Sequence, residues 1–117
     1  MRYTRQQHLR KAADFQSIRA FGKRRECGFF YINLLEQPER SPALRRAGFI
    51  ASRRIGNAVR RNRAKRLMRE TFRVNQDRLP PSCDLVMVAR PGILEVSQRD
   101  VERRFIGAIK NLDNNEQ

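Results

Sequence analysis

The sequence predicts one α+β domain in which helices pack on a single small sheet, in the order helix, two or three strands, helix, strand, helix. Three observations support this fold class. Apolar residues recur at helical spacing in three segments, and short runs rich in β-branched and aromatic residues lie between them. The length of 117 residues suits one domain. We expect residues 1–11 and 113–117 to be flexible.

The first predicted helix spans residues 14–21, where apolar residues recur every third position, and Gly22 predicts its end. Its aromatic residues allow two interpretations. Phe15 and Phe21 could belong to the core, or they could form a platform on which unpaired bases stack.

Strands are predicted at residues 28–35 and 46–52, separated by a loop that contains Pro38 and Pro42. The first strand has apolar side chains on both faces, so we expect both faces to be at least partly covered. Residues 23–26 form a charged link that could be a short edge strand. The two longer strands are expected to form a hairpin that leads into a helix.

The next helix begins after Gly56, where Asn57 can cap the first turn with its side-chain oxygen. Residues 52–74 contain nine basic residues and one acidic residue. At about 100° per residue, one face of the helix is apolar and comprises Ala64, Leu67, Met68, Thr71 and Phe72. The opposite face presents Asn62, Lys65, Arg66, Arg69 and Arg73, with Arg61 at the border. Cations at one-turn intervals suit the phosphates of a nucleic-acid backbone, whereas an ordinary solvated face mixes both signs.

After this helix, Pro80 and Pro81 prevent its continuation, and residues 84–89 form an apolar run typical of a buried strand. Ser97 and Asp100 have the spacing of an acidic capping box. A final amphipathic helix then carries Val101, Phe105, Ala108, Ile109 and Leu112 on one face.

The net charge of +14 favours a polyanionic partner, because such a charge opposes compaction unless it is neutralised. Membrane binding is the competing explanation. No apolar run approaches the roughly 20 residues that span a bilayer, and the N-terminus lacks the apolar region of a signal peptide. We therefore expect a cytoplasmic nucleic-acid-binding protein with no membrane partner.

The chain shows no catalytic constellation of its own. The carboxylates are scattered, no phosphate-binding glycine loop occurs, and the single histidine, His8, lies in the N-terminal segment. Cys27 and Cys83 lack the spacing of a metal or redox motif, so we expect them to be apolar fillers. We predict a binding protein with no catalytic residue, no metal site and no bound cofactor.

The run RRIGNAVRRNRAKRLMRE, which starts at Arg53, resembles the signature of the bacterial ribonuclease P protein subunit. The core of that signature is Arg-Asn-Arg followed by Lys-Arg and another Arg, which here are Arg61, Asn62, Arg63, Lys65, Arg66 and Arg69. The resemblance extends to Asp14, Phe15 and Gly22, and covers roughly residues 9 to 110.

The resemblance implies the order α-β-β-β-α-β-α, a mixed sheet and a left-handed crossover at the basic helix, as in the ribosomal-protein-S5-domain-2-like fold. It also implies a subunit of the ribonucleoprotein that removes the 5′ leader from precursor tRNA. The RNA subunit catalyses, and magnesium is expected in the RNA-containing holoenzyme. The protein binds the catalytic RNA and the leader, and it broadens substrate and salt tolerance; no DNA partner is expected.

Two sets of site residues follow from the resemblance. The set that contacts catalytic RNA is Arg53, Arg54, Asn57, Arg60, Arg61, Asn62, Arg63, Lys65, Arg66, Arg69 and Arg73. The set that contacts the substrate leader lies in a cleft between the first helix and the sheet and is Phe15, Arg19, Tyr31, Asn33 and Ser52. Arg19 and Asn33 stand where some relatives have aromatic residues, so leader contact here would depend more on cations and hydrogen bonds.

Two other functions share these features. A structural RNA-binding protein of the ribosomal kind would have the same charge and small α+β build. A helix-turn-helix DNA regulator would need a short helix before Asn57, and none is predicted. The Arg-Asn-Arg signature favours the ribonuclease P subunit. The sequence leaves open which basic residues contact which RNA.

Overall fold

The structure, a computed structural model, describes residues 1–114 and the side chains of residues 1–112. Three helices and four strands follow the order α-β-β-β-α-β-α: α1 Ala12–Phe21, β1 Lys23–Glu26, β2 Phe30–Glu36, β3 Arg45–Ile50, α2 Ala58–Asn75, β4 Cys83–Ala89 and α3 Gln98–Asn114. The sequence predicts a flexible tail at residues 113–117. Residues 115–117 of this tail lie outside the described residues.

The four strands form one mixed sheet in the order β1-β2-β4-β3. β2 pairs antiparallel with β1 and with β4, whereas β3 pairs parallel with β4. The predicted hairpin between the second and third strands is therefore wrong, because β4 lies between them. β4 is apolar and almost wholly buried, so a central position covers both of its faces. The charged link forms β1, the edge strand, and the left-handed sense of the β3–α2–β4 connection stays a prediction.

Helices α2 and α3 cover one face of the sheet and enclose the main core. The largest fully buried side chains of this core are Phe30 of β2, Phe72 of α2 and Phe105 of α3. All five apolar residues predicted for α3 are buried, and Ser97 and Asp100 form the predicted capping box, with Ser97 Oγ accepting from the Asp100 N–H at 3.1 Å. The amphipathic pattern therefore identified the buried face of α3 correctly.

Helix α1 covers the opposite face of the sheet and contributes Ile18 to a smaller core with Leu9 and Val86. Gly22 ends this helix as predicted, and its N–H donates to the Ile18 carbonyl. Phe21 is 77% exposed, so it does not belong to the core. It is the last residue of α1.

The N-terminal segment, residues 1–11, packs against the rest of the domain, and its flexibility stays a prediction. The Tyr3 hydroxyl donates to the Ala47 carbonyl of β3 at 2.7 Å. Gln7 is buried, and its amide donates to Oε1 of Gln76 at 2.8 Å. These contacts attach the segment to β3 and to the end of α2.

A buried carboxylate connects the loop before β3 and, through Arg46, helix α1 to the sheet. Asp84 of β4 is 2% exposed and accepts hydrogen bonds from Arg40 and Arg46, each at 2.9 Å. Arg46 also pairs with Asp14 of α1 at 3.4 Å. Burial raises the pKa of Asp84, but the hydrogen bonds from Arg46 and Arg40 outweigh it and hold the pKa below its ordinary value.

Both cysteines are buried free thiols, as expected for apolar fillers. Burial raises the pKa of Cys27 and of Cys83 to about 12, so both thiols stay protonated at neutral pH.

Candidate nucleic-acid interface

The turn before α2 uses several of the predicted RNA-contacting residues for its own structure. The Asn57 side chain accepts from the Arg60 N–H at 3.0 Å, which confirms the predicted cap. Arg60 Nε donates to the Ile55 carbonyl at 3.2 Å, and Arg61 donates to the Gly56 carbonyl at 3.3 Å. Gly56 has a φ of 138°, and a Cβ there would lie 2.6 Å from the Arg60 side chain.

The polar side of α2 is divided between two surfaces. The outer surface is an open depression of about 330 Å³ bordered by Val59, Asn62, Arg63 and Arg66. Lys65 and Arg69 instead line a groove of about 440 Å³ between α2 and the N-terminal segment. The basic residues that the sequence pattern assigned to one face of α2 therefore lie on two different surfaces, the outer depression and the groove.

Only some of the predicted cations are free of protein partners. Arg73 is engaged, because it pairs with Glu70 and donates to the Met1 carbonyl. Within the described residues, six cations of the predicted set have side chains without a hydrogen bond or ion pair: Arg53, Arg54, Arg63, Lys65, Arg66 and Arg69. These six are available to phosphates without breaking a protein contact.

The groove includes residues that were not predicted as site residues. Besides Phe15, Lys65 and Arg69, its lining includes Tyr3, His8, Arg10 and Phe49. Tyr3, His8 and Arg10 come from residues 1–11, the segment expected to be flexible. Rings placed among basic residues near the N-terminus were the one signal in the sequence that could have indicated them.

The cleft between α1 and the sheet brings together four of the five predicted leader residues, namely Phe15, Arg19, Tyr31 and Asn33. The remaining lining is apolar, and the cleft is narrow, with a volume of about 30 Å³. Ser52 is not among the lining residues. It accepts from the Arg54 N–H and so caps the short turn that follows β3.

Asn33 and Tyr31 occupy different environments in this cleft. Asn33 is 7% exposed, and its amide has no hydrogen-bond partner within residues 1–112. The ring of Tyr31 is covered by two guanidinium groups, with their carbon atoms 3.8 Å (Arg24) and 4.8 Å (Arg90) from the ring centroid. Neither arginine was predicted as a site residue.

Glu26 holds both of these arginines in place. It accepts from Arg24 at 2.7 Å and from Arg90 at 2.9 Å. The hydrogen bond from Arg90 is the largest cause that lowers the pKa of Glu26, so the carboxylate stays ionised at neutral pH. Tyr31, which lines the cleft, therefore has two fixed cations over its ring.

Phe15 is half-buried and borders both the cleft and the groove. Its ring is therefore accessible from both the cleft and the groove. In the part of the chain that the structure describes, no three His, Cys, Asp or Glu side chains come close enough to hold a metal ion. None of the described helices has the length and apolar character needed to cross a membrane.

The family model for ribonuclease P matches residues 3–113. The ribonuclease P protein component of Syntrophobacter fumaroxidans is 35% identical over 115 residues, which cover 96% of this chain and 92% of the relative. That of Syntrophus aciditrophicus is 37% identical over 99 residues, which cover 85% and 81%.

Solved structures agree with these sequence relatives. The RNase P protein of Staphylococcus aureus has a TM-score of 0.76 at 26% identity and covers 91% of this chain and 94% of its own. The Thermotoga maritima protein has a TM-score of 0.75 at 28% identity and covers 89% and 96%. This chain therefore belongs to the bacterial ribonuclease P protein family, the protein subunits that work with an RNA subunit in tRNA 5′ processing.

Proposed function

We propose that this subunit holds two RNA partners on different surfaces. The catalytic RNA binds the outer surface of α2, and the 5′ leader of precursor tRNA enters the cleft between α1 and the sheet. The observation that carries the proposal is that Phe15, Arg19, Tyr31 and Asn33 line one cleft, whereas Asn62, Arg63 and Arg66 border a separate depression.

The cleft suits a single strand. Phe15 offers a partly exposed ring, and base–aromatic stacking tolerates any sequence. Arg19 supplies an exposed cation beside it. The unpartnered amide of Asn33 carries both a donor and an acceptor, so it can bind the edge of a base that has left its stack.

The outer surface of α2 suits a structured RNA. Arg63 and Arg66 are exposed and unpaired within the described residues, so they can neutralise phosphates along a backbone. Asn62 borders the same depression. Val59 is 68% exposed and adds an apolar contact that phosphate binding alone does not need.

In this proposal the RNA subunit performs the hydrolysis, with magnesium held by RNA and substrate in the holoenzyme. The protein binds the leader and the catalytic RNA, neutralises part of their mutual repulsion, and so lowers the magnesium and salt needed for cleavage. We place this activity in the cytoplasm.

A reconstitution experiment tests the proposal. A bacterial catalytic RNA and a precursor tRNA are mixed with and without the purified protein, and cleavage is followed across a magnesium titration. We expect the protein to lower the magnesium requirement and to bind precursor tRNA, in complex with the RNA, more tightly than mature tRNA. Equal affinity for precursor and mature tRNA would contradict the leader assignment, and failure to stimulate any such RNA would contradict the function.

A further inference from the structure

We propose that the groove between the N-terminal segment and α2 is a further RNA site, which takes one unpaired nucleotide. The base stacks on His8, and the adjoining phosphates bind Arg10, Lys65 and Arg69. The inference rests on the proposed function, because it assumes an RNA partner. The nucleotide comes either from the catalytic RNA or from precursor tRNA, and the experiment below separates these sources.

The aromatic part of the groove is held rigidly. The His8 and Tyr3 rings are stacked, with centroids 4.2 Å apart and planes inclined by 18°. Tyr3 is fixed from behind, because its ring also contacts Phe49 and Phe72 edge-on, with centroids 5.5 Å apart in both cases. His8 is exposed, so a base can stack on a ring whose orientation is already set. Such preorganisation reduces the entropy lost on binding.

The cations of the groove are free. Arg10 follows the His8 ring along the chain, and Lys65 and Arg69 lie one turn apart on α2. None of these three side chains forms a hydrogen bond or ion pair with another residue in the described range 1–112. By contrast, Arg40 and Arg46 are neutralised by Asp84. Three unpaired cations around one concave surface attract a polyanion.

The groove also has a suitable size and neighbourhood. Its volume of about 440 Å³ lies within the range of roughly 300–1,000 Å³ that is typical of small-ligand sites. Phe15 separates it from the cleft, so an RNA strand could contact both sites. An acidic peptide would also satisfy the cations, but it would leave the stacked rings of Tyr3 and His8 without a planar partner. RNA is therefore favoured.

The composition of the chain provides a direct probe. His8 is the only histidine, so its imidazole C–H signals are a single reporter in the proton NMR spectrum. We expect a short single-stranded RNA to shift these signals upfield, as stacking under a base does. A polyglutamate peptide of equal charge has no planar ring to stack and should not shift them upfield. The proposal is overturned if RNA leaves the His8 signals unchanged, or if the peptide causes the same upfield shift.

Variants then identify the source of the nucleotide. His8→Ala removes the stacking ring, His8→Phe keeps an aromatic ring, and Arg5→Ala is a charge control on the same segment, since Arg5 does not line the groove. Affinity is measured in two arms: the variant with catalytic RNA alone, and the assembled holoenzyme with precursor tRNA. We expect His8→Ala to lose roughly 5- to 150-fold in one arm, the loss of one stacked base, while His8→Phe retains most of the affinity.

Further measurements keep the test decisive. If His8→Ala lowers the thermal midpoint of unfolding, Lys65→Gln must reproduce the loss in the same arm, because this residue only borders the groove. Should His8→Ala match Arg5→Ala in both arms, the groove is not an RNA site. The proposed function still holds in that case if the wild-type protein stimulates cleavage by the catalytic RNA. If the wild-type protein does not stimulate cleavage, the proposed function itself is rejected.

Discussion

The ring of Phe15 lies directly against the backbone of Gly48, so close that a Cβ atom at position 48 would be 2.8 Å from ring carbons Cε1 and Cζ. Glycine is needed here for space, since its φ is not in the left-handed region. The absence of a side chain on β3 therefore sets where the Phe15 ring sits. Because that ring borders both the cleft and the groove, Gly48 sets the position of a side chain shared by the two proposed RNA sites without offering a functional group of its own.

Gly48→Ala should displace the Phe15 ring and weaken binding of precursor tRNA. The added methyl group also overpacks the site, so we expect a loss of about 1–3 kcal/mol in the free energy of unfolding. Gly107→Ala is the matched control, because a Cβ there meets nothing within 4 Å. It should stabilise α3 by about 0.5–1 kcal/mol and leave affinity unchanged. Wild-type precursor affinity in Gly48→Ala would show that the ring position is unimportant.

Phe15→Ala should weaken precursor tRNA binding more than mature tRNA binding. The loss of one stacked base corresponds to about 1–3 kcal/mol. Titrations of the holoenzyme with both RNAs, under the same salt conditions, measure the difference. Equal losses for the two RNAs would show that Phe15 contributes only to packing.

The salt dependence of catalytic-RNA binding should identify the outer surface of α2. Each phosphate that the protein neutralises contributes a log–log slope of about −0.7 to −0.9. Arg63→Ala combined with Arg66→Ala should therefore flatten the slope, by up to about two such increments. Arg99→Ala combined with Arg103→Ala removes the same charge from exposed positions on α3. If both double variants change the slope equally, RNA binding is insensitive to where the charge lies.

Replacing Asp84 with asparagine should destabilise the fold by about 3 kcal/mol at pH 7, because Arg40 and Arg46 lose their carboxylate partner. The folded-state pKa of Asp84 lies below its unfolded value, which is near 3.9. Its contribution is therefore complete above about pH 4 and is lost as the pH falls through the folded-state pKa.

Urea unfolding of the wild type and of Asp84→Asn at several pH values measures this contribution. The difference between the two proteins should shrink in acid. Glu70→Gln, which breaks the exposed pair with Arg73, is the control and should cost about 0–1 kcal/mol. A difference that stays constant from pH 7 to below pH 3 would contradict the assignment to Asp84 ionisation.

Local patterns identified most of the elements. The spacing of Val101, Phe105 and Leu112 predicted the buried face of α3, and Asn57 was correctly predicted to cap α2. These features depend on neighbours within a few residues, which a sequence displays directly. The family resemblance predicted the cleft between α1 and the sheet, and Phe15 and Asn33 both line it.

Features that depend on distant partners could not be predicted. The apolar run of β4 indicates a buried strand, but no local pattern shows that it inserts between β2 and β3, because strand pairing joins residues far apart in the sequence. The hydrogen bond from Tyr3 to Ala47 joins residues that are 44 positions apart. The basic residues of α2 fall on two surfaces for a similar reason: the N-terminal segment, which is distant in the sequence, flanks Lys65 and Arg69.

The central position of β4 has a consequence for synthesis of the chain. A nascent polypeptide that ends before Cys83 already contains α1, β2, β3 and the basic helix, but it has no strand to join β2 to β3. The cleft floor also lacks Val86 and Val88 at that stage. Pairings between distant segments form only after the intervening chain exists. The cleft between α1 and the sheet should therefore be completed only after β4 has left the ribosome, so that a partly translated subunit exposes its cations before this cleft exists.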